Sequence, residues 1–353
     1  MPAVTTLTEL LEASGFRPYL FDMGRRVVAL SRDSFLAFEN SDLPYPLPLR
    51  RQAWFGLMFQ AEADKTADPV VWFLHFPLDE QAKLVLAARD DFMRRLLENG
   101  SAEADEAVAG RARIQTALAD NPHAFQPKPE RMAMFHAQVT LALQQPASRY
   151  YAHARDYFSG RLGWEQWGFL GYQGIADLAA RLTQDDNHLH LAEAIPWLPA
   201  APLEALCHCL ENVVIPTTLA QALHARCRET LAESAPDPQI LSACLRGIAG
   251  SPPAPGRELV TAVLSHDIAK RADLLVAISG RVWEVLLDIR LRERFLERLA
   301  ENDQGEAFFN NILSDLLFLP TLRDSLRAGL ADAAFSPRLK TALERFFAAV
   351  KAP

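Results

Sequence analysis

Histidines set beside carboxylates can bind a divalent cation or pass a proton. The densest such group in this chain is Asp185-Asp186-Asn187-His188-Leu189-His190. It falls between a helix ending near Leu182 and one starting near Leu191, where the same residue types also make a solvated turn and cap. A second group, Cys207-His208-Cys209 with His224 and Cys227, has the side chains of a zinc site but not the spacing. Structural zinc pairs are normally separated by two to four residues, whereas Cys207 and Cys209 on one helix point roughly 200° apart. His224 and Cys227 share a face and would need partners from another helix. All four cysteines, Cys207, Cys209, Cys227 and Cys244, fall in helical stretches of one region, which suits buried reduced thiols better than a disulfide framework. Trp164, Trp167 and Tyr172 are dense enough to line a small-molecule pocket, or to be core. Arg290, Arg292, Arg294 and Arg298 alternate with Asp288, Glu293 and Glu297, the pattern of a mixed-charge solvated helix face rather than a nucleic-acid stripe. The chain has no glycine-rich phosphate loop, nucleophile elbow or kinase signature.

The segment Leu264-Ser265-His266-Asp267-Ile268-Ala269-Lys270 resembles the His-Asp signature of the all-helical HD-type phosphohydrolases. The resemblance implies one or two divalent metals held by an upstream histidine, the His-Asp pair and a downstream aspartate, with a metal-activated water. Those roles would fall on His266 and Asp267, with His224 (or His188 or His190) upstream and Asp288 or Asp303 downstream. Ala269 stands where the family usually has glycine. The competing reading is that Ser265 caps the next helix and places His266 and Asp267 in its first turn, where an aspartate favours the helix dipole.

The elements that must position these residues are helices. Pro202, Thr218, Pro238, Gly256, Asp303, Thr321 and Pro337 mark starts that recur roughly every 16 to 20 residues, so a pair of segments spans roughly 36, within the range of helical-hairpin repeats. Asp237-Pro238 and Ser336-Pro337 pair a side-chain acceptor at the N-cap with proline at the first helical position. Thr321 with Asp324 is a variant capping box. Leu241, Cys244, Leu245 and Ile248 form one apolar stripe; Phe308, Ile312, Leu316 and Leu319 form another, interrupted by Asp315. Helices this short cannot bury a stripe alone and must stack on neighbours.

The first hundred residues read differently. Thr6 and Glu9 form a capping box for a helix to Ser14, closed by Gly15. Phe16 to Met23 and Arg25 to Leu30 are two strands around Gly24, and Ser31 to Asn40 could be helix or strand. Pro44, Pro46 and Pro48 impose an extended loop. Trp54 to Gln60 and Val70 to Phe76 form a second hairpin around the polar stretch from Ala61 to Asp68. A long helix is expected from Asp79, as its cap, to Asn99. The fold class is therefore α+β: a small N-terminal antiparallel sheet-plus-helix domain (1–100), a linker (101–129) and an all-helical domain (130–353), repeat-like from about residue 185. Helices are expected over Glu130 to Leu143, Ser148 to Phe158 and, at the junction of the two domains, Trp164 to Leu182.

With 353 residues, half of them hydrophobic and 23% charged, the composition is that of an ordinary globular protein. The net charge of -8 argues against general binding to nucleic acid or to anionic membranes. No apolar run reaches the roughly 18 residues of a membrane span and no leader pattern opens the chain, so a cytoplasmic location is expected.

Ile268 to Leu287, with Asp273-Leu-Leu-Val-Ala-Ile-Ser-Gly-Arg-Val-Trp283, resembles the paired helices of HEAT-type repeats. The whole chain, including Pro77-Leu-Asp-Glu-Gln81, resembles a bacterial domain family of unknown function, which transfers no functional residue. The HEAT-type resemblance implies an α-solenoid whose surfaces bind other macromolecules. The expectation is a non-catalytic protein-interaction adaptor or scaffold with another protein as partner, no cofactor or metal, and the N-terminal domain available for homodimerisation. The alternative is a metal-dependent HD-type phosphohydrolase centred on His266 and Asp267.

Overall fold

A computed structural model of the chain describes residues 6–61, 69–100, 118, 121–330 and 335–351. Residues 62–68, in the expected hairpin loop, and most of 101–120, in the expected linker, lie outside the described residues. The chain divides into one unit of Met1–Arg131 with Phe318–Pro320 and another of Met132–Leu317 with Thr321–Pro353.

In the first unit the expected capping box forms: Thr6 Oγ1 accepts from Glu9 N at 3.1 Å and the Glu9 carboxylate accepts from Thr6 N at 3.2 Å. It starts α1 (Leu7–Ala13), and Gly15 follows in the left-handed region at φ 76°. β1 (Phe16–Asp22) pairs antiparallel with β2 (Val28–Leu30), which is shorter than the run from Arg25 suggested. The Asp22 carboxylate accepts from Arg26 N at 3.0 Å and so holds that stretch in the turn. Ser31 resolves the next segment into a helix: its hydroxyl accepts from Ser34 N at 3.2 Å and caps α2 (Arg32–Glu39). β3 (Gln52–Ala61) and β4 (Val70–Pro77) form the second hairpin, and the sheet order is β2-β1-β3-β4, antiparallel throughout.

Alternation along β4 puts Val70, Trp72, Leu74 and Phe76 on one face, level with Phe59, Leu57 and Phe55 of β3. That face forms one core with Leu7, Leu11, Phe35, Phe38 and Phe92, so the helices cover one side of the sheet. The helix expected to be capped by Asp79 begins seven residues later, as α3 (Leu86–Gly100). The Asp79 carboxylate instead accepts from Gln81 N and Lys83 N at 2.8 and 2.9 Å, folding a tight turn in which Ala82 takes φ 62°. Residues 121–125 run beside β4, with His75 N donating to His123 O at 2.8 Å and Phe125 N to Phe73 O at 3.0 Å.

Two carboxylates are buried in this unit. Glu39 accepts from Leu7 N at 2.9 Å and Thr8 N at 3.3 Å, and burial pushes it up to about 7. Asp22, which accepts from Tyr45 Oη at 2.7 Å, is pushed up to about 6 for the same reason.

The second unit is helical. α4 (Pro129–Ala142) leads into it from the first, followed by α5 (Tyr151–Phe158), α6 (Tyr172–Ala180), α7 (Asn187–Ala194), α8 (Ala200–Leu210), α9 (Thr217–Leu231) and α10 (Pro238–Gly247). Then come α11 (Pro253–Leu264), α12 (Ala272–Arg281), α13 (Ile289–Ala300), α14 (Glu306–Leu317), α15 (Pro320–Gly329) and α16 (Pro337–Lys351). From α6 onward alternate helices stack in two layers: α7, α9, α11, α13 and α16 in one, α6, α8, α10, α12 and α14 in the other. Each stripe is thus buried between neighbours in its own layer and the facing layer.

Asp237 caps α10 by accepting from Gln239 N, and Ser336 caps α16 by accepting from Leu339 N, both as expected. Other starts moved. α15 begins at Pro320, which puts Thr321 inside the helix rather than at its cap. The expected helix from Trp164 to Leu182 is a 3-10 turn (Trp164–Phe169) followed by α6, because Leu170 and Gly171 take extended backbone. The stripe of α14 is Phe309, Leu313 and Leu316, rotated by one residue from the expected Phe308 and Ile312.

Two buried carboxylates, Asp177 and Glu211, anchor ion pairs in this unit. Asp177 and Arg181 of α6 pair at 3.2 Å, both buried, and Arg181 also donates to Thr140 Oγ1 and Gln145 O. Glu211, just after α8 and 4% exposed, meets Arg246 Nε of α10 at 2.8 Å and Arg281 Nε of α12 at 3.3 Å. The loops close equally tightly: a Cβ at Gly250 would lie 1.8 Å from Val213 O.

Glu39 binds protons more readily folded than unfolded, so its contribution is fully present below its unfolded value near 4.5 and is lost as pH rises through about 7. In urea titrations at pH 4.5, 5.5 and 7, the stability of wild type relative to Glu39→Gln is expected to rise as pH falls. In the second unit, Gly250→Ala is expected to cost about 1–3 kcal/mol through displaced backbone. Gly280→Ala, in α12 with open space at its Cβ, is expected to be neutral or to gain up to about 1 kcal/mol. Equal destabilisation by both substitutions in thermal melts would contradict this packing.

Candidate functional site

Of the sequence candidates, His224 and Asp288 line one groove, and His266, Asp267 and Asp303 are not among its lining residues. Ser265 ends α11, its hydroxyl donating back to Thr261 O at 2.8 Å, instead of capping a following helix. The cap is His266 itself, whose Nδ1 accepts from Ile268 N at 3.1 Å to open a 3-10 turn (Asp267–Lys270). Asp267 is exposed and lies 3.6 Å from Arg298, while Asp303 accepts from Gln304 Nε2. The His188 ring nitrogen sits 3.0 Å from Leu182 O in a turn where Asp185 and Asp186 both take positive φ, and α7 starts there at Asn187 rather than near Leu191. The four thiols are buried, and burial raises all of them, Cys227 up to about 12. Trp167 is 43% exposed, while Tyr172 donates to Ala205 O. Among the described residues, no three His, Cys, Asp or Glu side chains are grouped to hold a metal ion.

What the helical unit does bring together is a groove of about 670 Å³ across α9, α11 and α13. α9 contributes His224 and Arg228, α11 contributes Arg257, Glu258 and Thr261, and α13 contributes Arg290 and Arg294, with Asp288 at its N-cap. On each helix the pair lies four residues apart, hence on one face. His224, Arg257 and Arg290 are spaced by 33 residues, and so are Arg228, Thr261 and Arg294. The groove therefore shows the same two positions of three consecutive hairpins side by side.

The four arginines are exposed, and the Arg228, Arg257 and Arg290 side chains make no ion pair with the described residues. Arg294 donates to the neutral Ser265 hydroxyl at 3.3 Å. Glu258 and Asp288 are the groove's carboxylates, and Asp288 is already engaged in capping α13 through Arg290 N and Leu291 N. Its neighbours Leu287 and Ile289 are 48% and 60% exposed, which leaves apolar surface at the rim. Chemically the groove sets exposed guanidinium groups beside a neutral hydroxyl and an imidazole, groups that can donate to an anion.

The mixed-charge face read from Arg290 to Arg298 thus splits in two. Arg292 is buried and donates to Ser325 Oγ at 2.6 Å and Leu286 O at 3.3 Å, and Arg298 pairs with Glu301 at 2.8 Å. Arg290 and Arg294 remain for the groove. Arg228 and Arg257 carry no motif of their own. Only the 33-residue interval, set against the buried stripe of each helix, marks them as equivalent.

Fold and groove together define a two-part α+β protein, a helix-backed antiparallel sheet and a two-layered helical array with an arginine-lined face. Residues 2–347 match the family described as protein of unknown function (DUF3549), and the chain belongs to that family. No curated protein and no solved structure matches it.

Because His266 serves as a turn cap, His266→Ala is expected to cost about 0.5–1 kcal/mol in urea unfolding. Addition of Mn²⁺ or Zn²⁺ should leave the melting temperature of wild type unchanged. A metal-induced rise that His266→Ala abolishes would reinstate the metal reading.

Proposed function

We propose that the protein is a non-catalytic adaptor that works in the cytoplasm and docks another protein on the groove side of its helical unit. The observation that carries this reading is the set of arginines from three consecutive hairpins, displayed on one face with their charges unspent inside the fold. A chain with net charge -8 has many carboxylates with which to neutralise them, yet Arg228, Arg257 and Arg290 face solvent together. Arginine is the residue type most suited to interfaces because its planar fork binds carboxylates in pairs and stacks on flat groups. The stacked helices supply a rigid frame, so the backbone loses little freedom on binding. No helix among the described residues is long and apolar enough to cross a membrane, which accords with a partner met in the aqueous phase.

A photo-crosslinking residue placed at Ala254, which lines the groove, is expected to capture a discrete protein partner in cells. The same residue at Val276, exposed on α12 in the other layer, should not. No adduct from Ala254, or identical adducts from both positions, would sink the adaptor reading.

A further inference from the structure

From the groove's composition we infer that the docked segment is an extended, acidic stretch of the partner chain, with carboxylates about three residues apart and apolar residues between them. This rests on the adaptor reading and adds the chemistry of the partner. Equivalent positions on stacked helices are roughly 8–10 Å apart. A chain extended as polyproline II rises roughly 3.1 Å per residue with roughly three residues per turn, so every third side chain returns to the same face roughly 9 Å further on and meets the next helix. The first row is His224, Arg257 and Arg290; the second is Arg228, Thr261 and Arg294. A segment lying across α9, α11 and α13 would present a carboxylate to each helix in turn. Its intervening apolar residues would cover Leu287 and Ile289, which flank the groove's Asp288 and are otherwise left to water.

Nucleic acid fits less well. Closely spaced phosphates would be forced against Glu258 and Asp288, four arginines supply fewer contacts than the roughly 6–10 of a typical site, and among the described residues lining the groove the His224 imidazole is the one ring, where single-strand binders stack successive bases on several. A peptide can place neutral residues opposite the two carboxylates, which a phosphate backbone cannot do. A protein ligand is therefore selected by the interruptions in the positive charge as much as by the charge itself.

The test uses the full chain and three fluorescent probes in anisotropy titrations: a fifteen-residue peptide of Glu-Ser-Leu repeats, the same peptide with Gln for Glu, and a fifteen-nucleotide oligothymidylate. The acidic peptide is expected to bind saturably and to weaken with salt. In the double variant R257E/R290E, binding should fall at least about tenfold, a loss of about 1.4 kcal/mol. Glu258→Gln, which removes a repelling carboxylate, should tighten binding roughly threefold. Because these effects run in opposite directions, a general loss of folding cannot imitate the pattern, and urea melts of both variants verify it. Equal binding of the Gln peptide, preference for the oligonucleotide, or self-association of the chain through the groove would each overturn the inference. A partner crosslinked at Ala254 without any peptide binding would remove the acidic segment and leave the adaptor. Peptide binding with no crosslinked protein would do the reverse.

Discussion

The stacking of the helical unit depends on one buried carboxylate. Glu211 sits just past the C-terminus of α8, where the helix dipole disfavours a negative charge and burial adds a desolvation cost of several kcal/mol. Arg246 from the next helix of the same layer and Arg281 from the one after offset that cost. Such a cluster contributes little net stability compared with apolar residues of the same size. What it supplies is registration. Apolar stripes such as Leu241, Cys244 and Leu245 tolerate a slip of one helix along another, but any slip would strand Glu211 without a counter-charge. Glu211, Arg246 and Arg281 are spaced by 35 residues, so the restraint recurs once per hairpin.

That restraint bears on the opposite layer too. Gly247 lets α10 approach α8 so closely that a Cβ there would meet Cys207 Sγ at 2.8 Å, and Gly250 brings the next turn against Val213 O. With one layer pinned by charge and the turns pinned by close backbone contact, the hairpins cannot rotate independently. The faces of α9, α11 and α13 are then held in step, and side chains 33 residues apart in sequence form one surface.

How far the sequence foretold this depends on whether the signal was local. Caps announced themselves, because Thr6 with Glu9, Asp237 before Pro238 and Ser336 before Pro337 satisfy backbone donors within three residues of themselves. The hairpins were equally readable, since alternation along Val70 to Phe76 is a property of that strand alone. Where two local outcomes competed, the reading failed. Asp79 can cap a helix or fold an Asx turn, and Ala82 at positive φ with the Leu78 to Leu84 bridge decided for the turn. His266 offered an imidazole next to a carboxylate, but its Nδ1 is consumed by a backbone amide. The groove was harder still. Arg292 and Arg290 look alike in sequence, and only the position of Ser325, 33 residues further on, buries the first and leaves the second outside.

The two sets of arginines differ in what their charge meets. Arg181, Arg246, Arg281 and Arg292 are turned inward onto Asp177, Glu211 or backbone and side-chain oxygens, and their energy is spent on holding helices together. Arg228, Arg257 and Arg290 are turned outward on the other layer, where a bare guanidinium stays hydrated at little cost until an anion arrives. Screening at physiological salt confines the field of such groups to roughly 8 Å, so each acts only on what lies in the groove. They stand in a row, and the row is set by the same stacking that Glu211 keeps in register. A chain that is acidic overall can in this way keep a local positive face on one layer of its helical array.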